Sequence, residues 1–139
     1  MHPAADEYPV IANLDLVRSI YAAHERGDYS SVEWAHSDIE FVLVDGPSPG
    51  TWRGLAAMAR PYRDALSAWE DFRSEAEEYR ELDDERVLAL TRLSGRGKTS
   101  GLEVARTGAC LFRIRDGKVT NYLIYWDRDR ALADLGLEA

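Results

Sequence analysis

The chain has 139 residues, 45% of them hydrophobic and 30% charged, with a formal net charge of -8. That length and composition fit one globular domain able to bury roughly two-thirds of its unfolded surface without disulfides or metals. The acidic balance argues against a nucleic-acid partner, which needs a basic face to displace counterions, and against docking on an anionic membrane.

The first residues, 1–9, read as a loose tail, leaving 10–139 as a single domain. Met1 to Glu7 lacks the basic and apolar regions of a secretory signal, and no apolar stretch is long enough to span a bilayer, so a cytoplasmic protein is expected. Leu14, Val17, Ile20, Tyr21 and His24 recur at helical spacing, with Asn13 or Asp15 as the cap and Gly27 as the stop. A second short helix is expected over 29–35. Ile39, Phe41, Val42, Leu43 and Val44 predict a strand over 38–44, and the breaker run from Asp45 to Gly50 predicts a loop. Gly54 opens a helix to about Trp69, with Pro61 inside it.

The rest reads as four strands, over 72–82, 86–94, 100–115 and 119–126. Gly95 to Lys98 is expected as one hairpin tip and Asp116-Gly117 as another, with a bulge near Gly108. A short helix over 128–135 closes the chain, capped by Asp127 and ended by Gly136. Consecutive strands joined by tight turns predict an antiparallel meander with helices on one face, an α+β fold. Val104, Ala105 and the run from Ala109 to Phe112 make the long strand apolar on both faces, more than one core can hide, and a homodimer through the outer sheet face is expected. Cys110, the one cysteine, sits in that run and reads as a buried, inert thiol.

Several pieces together carry a resemblance: Ile20-Tyr21-Ala22-Ala23 with Arg26-Gly27-Asp28, Thr51-Trp52-Arg53-Gly54, the stretch from Phe112 to Val119, and Tyr125-Trp126-Asp127 with Ala131-Leu132 and Leu135-Gly136-Leu137. Their order and spacing resemble the nuclear-transport-factor-2-like superfamily, in its SnoaL-like polyketide cyclase and ketosteroid-isomerase-like branch. The resemblance implies a cone-shaped, half-open barrel, in which a curved antiparallel sheet has helices packed on its concave face around a small-molecule pocket. Superfamily members include isomerases, cyclases, dehydratases, epoxide hydrolases and proteins that only bind.

Asp45 is the sharpest catalytic candidate. It ends a strand before a rigid Gly-Pro loop, a position similar to that of the isomerase base, although an Asp before Gly is commonly an Asx-turn residue. The remaining isomerase machinery is missing: the expected tyrosine falls nearest Ile20, with Tyr21 one step and about 100° away, and the expected acid falls near Cys110. An epoxide-hydrolase set is also incomplete, because Ile124 stands where its last-strand acid is expected. Tyr21, Trp34, Arg53, Tyr62, Trp69, Tyr122 and Trp126 are expected to line a ligand pocket rich in rings. His24 and His36 are further candidates for a base, and three histidines without ligand spacing do not make a zinc site. The expected function is cofactor-free acid–base chemistry on a small apolar carbonyl compound, by an isomerase, cyclase or dehydratase. The alternatives are a ligand-binding protein without catalysis and a dimeric interaction module.

Overall fold

The computed structural model describes residues 12–29, 31–46 and 48–137, and the expected tail lies outside them. The elements are α1 (Asn13–Glu25), β1 (Ala35–Leu43), β2 (Gly50–Arg53), α2 (Leu55–Ser67), β3 (Trp69–Glu81), β4 (Arg86–Gly97), β5 (Glu103–Arg115), β6 (Lys118–Tyr125) and α3 (Arg128–Asp134). The six strands form one sheet in the order β2-β1-β6-β5-β4-β3.

The meander β3 to β6 is antiparallel throughout, as the hairpin signals predict. The exception is β1, which pairs parallel to β6, so the sheet is mixed rather than wholly antiparallel. Turn chemistry fixes the direction only of strands that are neighbours in sequence, and β1 reaches β6 across most of the chain. The β2 strand, which folds back on β1, is hidden in sequence by the breaker run before it. The expected helix over 29–35 is replaced by a turn at residues 33–34 leading into β1.

Local caps differ in the same way. Ala12 takes the N-cap position of α1 without a side-chain bond, and Asn13 instead donates to the Asp84 carbonyl at 2.8 Å. Asp127 caps α3 as expected, accepting from the Arg130 amide. The first hairpin tip lies over residues 98–102, later than the glycines suggest, with Arg96 still paired to Glu103. No bulge interrupts β4 against β5 at Gly108, where a side chain is excluded because a Cβ would stand 2.4 Å from the Tyr125 carbonyl oxygen.

The sheet has two covered faces. On the concave side α1 packs on β3 and β4 and α2 on β1, β2 and β3, burying Val17, Ile20, Met58, Ile39, Phe41, Val87 and Phe112. On the other side α3 packs on β5 and β6, burying Ala131 and Leu132 against Leu88, Leu90, Ala109, Leu111 and Tyr125. Thus the apolar run from Ala109 to Phe112 is buried within one chain, its alternate residues divided between the two cores. Among the described residues no helix is long and apolar enough to cross a membrane.

Candidate active site

The stripe that makes α1 amphipathic ends on His24, so the helix carries an imidazole into the concave core. Helix α2, entered through Gly54 at φ +92°, buries Tyr62 on the facing side. His24 Nε2 and the Tyr62 hydroxyl meet at 3.0 Å, both side chains being more than nine-tenths buried. Strands β5 and β6 add Cys110 and Tyr122 from the floor, with the Tyr122 ring 6.4 Å from that of Tyr62. The thiol also faces Tyr21. A line of polar side chains, His24, Tyr62, Tyr122, Cys110 and Tyr21, thus crosses the largely apolar concave core.

Burial sets the protonation of this line. It lowers His24 to a pKa of about 4, outweighing nearby Asp28, which acts in the opposite direction. It pushes the Cys110 thiol up to about 11, and raises Tyr62 and Tyr122 well above the ordinary phenol value. At neutral pH the line thus holds a neutral imidazole, an un-ionised thiol and protonated phenols. Two of its atoms, His24 Nδ1 and the Tyr21 hydroxyl, are buried without a hydrogen-bond partner. Such atoms cost free energy in a closed core and are tolerated where a ligand or water can satisfy them.

Two cavities meet at this line. An inner chamber of about 60 Å3 is bounded by His24, Tyr62, Cys110, Tyr122 and Trp126, among others. An outer cavity of about 600 Å3 is bounded by Leu55, Met58, Trp69, Arg63 and Lys98. Tyr29, Tyr62, Leu66 and Phe72 belong to both walls. Tyr29 stacks on the His24 ring at 4.6 Å, and Phe72 stands 6.5 Å from Tyr29. Phe72 enters by an irregularity in β3: the pairing with β4 shifts between Glu70 and Arg73, and Asp71 takes φ +52°. A left-handed aspartate costs on the order of 1 kcal/mol, and such strain tends to gather at functional sites.

Of the expected pocket residues, Tyr62, Tyr122 and Trp126 line the inner chamber, and Trp69 lines the outer cavity with Tyr62. The Trp69 and Trp126 rings lie 5.7 Å apart and link the two walls. Tyr21 is placed deeper, in the core behind the chamber, edge-on to His24, Tyr79 and Phe112. Trp34 packs edge-on against Tyr122 from the far side and donates its indole N–H to the Ser31 carbonyl, so it supports the wall rather than lining it. Arg53 is exposed and pairs with Glu40 at 3.6 Å, outside both cavities.

Asp45 lines neither cavity. Its two carboxylate oxygens accept the backbone amides of Trp126 at 2.6 Å and Asp127 at 3.3 Å. Gly46 continues the clasp with φ +92°, where a Cβ would stand 2.8 Å from the Trp126 ring. The Asp45-Gly46 corner therefore fixes a tryptophan that walls the chamber. His36 is used locally, accepting the Asp38 amide.

Tyr29 and Phe72 had no signal pointing to a site: one falls in a stretch that reads as helix, the other at the start of an irregular strand. His24 had one, since an imidazole at the end of an apolar helical stripe must face the core.

The chain has the α+β fold of NTF2-like proteins. A Burkholderia pseudomallei NTF2-like protein of unknown function superimposes with a TM-score of 0.74 at 19% identity, over 89% of this chain and 97% of that one. A proposed polyketide cyclase of Xanthomonas campestris gives 0.66 at 23% identity, over 86% and 93%. TerC, crystallised with polyporic acid, gives 0.72 at 21% identity, over 90% and 98%. At these identities the likeness is one of fold. The chain itself belongs to the SnoaL-like domain family, whose profile matches residues 17–122. No curated protein matches its sequence.

Proposed function

We propose that the protein is a cofactor-free acid–base enzyme acting on a small, mostly apolar carbonyl compound, with the inner chamber as its active site. The observation that carries this reading is the buried His24–Tyr62 hydrogen bond beside Tyr122 in the inner chamber, with Tyr62 walling both cavities. The outer cavity has room for a hydrocarbon body, and the inner chamber for a carbonyl group. Tyr122 and Tyr62, held protonated, are donors for the carbonyl oxygen. His24, held neutral with its Nε2–H donated to Tyr62, has the unpartnered Nδ1 as the acceptor for a proton from the adjacent carbon. In that step the C–H electron pair moves to form the C=C bond, the C=O pair moves to oxygen, and the enolate oxygen is held by the phenols. Return of the proton to another carbon completes an isomerisation. Asp45 is assigned a positioning role through Trp126.

The test needs no knowledge of the substrate. Enolisable ketones are incubated with the protein in D2O, and exchange of the α-proton is followed by NMR. The expected result is exchange above the buffer rate, lost in His24→Gln and reduced roughly 100-fold in Tyr122→Phe, the usual effect of removing one oxyanion donor. Ketones that bind without exchange would instead establish a binding protein without catalysis. The low basicity of His24 favours that second reading, because a base of pKa about 4 extracts protons slowly.

A further inference from the structure

We infer that the ligand of this site is an amphipathic anion: an apolar body carrying one carboxylate-like group that stays at the mouth of the outer cavity. The inference rests on the two cavities forming one ligand site and adds the charge of what fills them.

The outer wall is apolar along Val32, Leu55, Met58, Leu66, Trp69 and Phe72, and its only charged side chains are Arg63 and Lys98. Both are exposed. They come from two different elements, Arg63 from α2 and Lys98 from the turn after β4, where its amide is tied to the Ala68 carbonyl at 3.1 Å.

Among the described residues six cations, Arg26, Arg63, Arg73, Lys98, Arg106 and Lys118, have no carboxylate within 4 Å, and of these only Arg63 and Lys98 line the outer cavity. The chain has 25 acidic residues against 17 basic ones, so a cation has acids in excess to pair with. Eleven of the fifteen arginines do so, each within 4 Å of a carboxylate. Arg63 and Lys98 have no carboxylate partner among the described residues. Asp64, beside Arg63 in sequence, faces Arg60 instead. Two unpaired cations on the rim of an apolar cavity give an anionic head group a place to stop while its hydrocarbon enters, and they raise the local concentration of anions that the net charge of -8 would otherwise repel.

The test uses N-phenyl-1-naphthylamine, a neutral probe that fluoresces in apolar cavities, displaced by decanoate or by 1-decanol at neutral pH and low ionic strength. These ligands share a chain and differ in charge. In the parent protein decanoate is expected to displace the probe at roughly five- to ten-fold lower concentration than decanol, the size of two exposed ion pairs. The preference is expected to vanish in the Arg63→Gln/Lys98→Gln double variant, and to weaken with added salt, while decanol affinity and thermal stability stay unchanged. A preference for decanol in the parent, or one for decanoate that survives in the double variant, overturns the inference and leaves the pocket standing. Failure of the probe and of both ligands to bind overturns the pocket as well.

Discussion

The two faces of strands β4 to β6 are built from alternate residues of the same segments, yet they solve different problems. The convex face, under α3, is dry: Leu88, Leu90, Ala109 and Leu111 meet Ala131 and Leu132, and its one phenol, Tyr125, donates at the edge to Asp134 at 3.2 Å. Its border is stitched by Arg128, which bonds the carbonyls of Gly108 and Thr91 and the carboxylate of Glu77. The concave face uses the next residue along each strand to bury Cys110 and Tyr122, and brings His24 and Tyr62 to them. The convex face satisfies its polar groups and excludes space. The concave face leaves polar atoms unpaired beside a cavity. A face made only for stability has no reason to do that.

The largest effect expected is on the dry face. Leu88→Ala removes a fully buried side chain and is expected to cost about 2–5 kcal/mol in chemical denaturation, with ligand affinity retained. A loss of affinity equal to the loss of stability would show that the faces are not independent.

His24 sharpens the contrast through pH. Above its unfolded value of 6.5 the imidazole is neutral in both states and contributes nothing to the pH dependence. As pH falls below 6.5, the unfolded chain takes a proton that the folded chain refuses down to about 4, so stability is lost through that window. The loss is at most ~3 kcal/mol. Denaturation at pH 7 and at pH 4.5 should show it in the parent and not in His24→Gln, and the His24 ring resonances should titrate near 4. A ring that titrates at its ordinary value would mean that the chamber is wet.

The smallest effect concerns the clasp. Asp45→Ala frees two backbone amides and is expected to cost about 1–2 kcal/mol, whereas Asp45→Asn keeps one acceptor and costs less. Because the clasp holds Trp126, Asp45→Ala should also alter the tryptophan emission and weaken probe binding, and Asp45→Asn should restore most of both. Retained binding with α-proton exchange abolished in Asp45→Asn would instead return Asp45 to a direct chemical role.

What the sequence determined by itself was local. Helical spacing in α1 and α2, alternation over Arg86 to Ser94 in β4, the Asp116-Gly117 turn and the Asp127 cap are properties of segments whose interactions lie within a few residues. The meander follows from them, because a tight turn leaves the next strand one direction to run. The aromatic wall was legible in part, since Tyr62, Tyr122 and Trp126 sit on apolar faces that must turn inward. Tertiary structure decided the rest. The parallel pairing of β1 with β6, the division of the Ala109–Phe112 run between two cores, and the Asp45 clasp on Trp126 join residues far apart in sequence, where no periodicity reports the partner. An aspartate before glycine reads the same whether it faces a substrate or a backbone amide. The meeting of His24 with Tyr62, 38 positions apart, depends on the angle at which two helices settle on a curved sheet, and that angle is set by the packing of the whole concave core rather than by either segment.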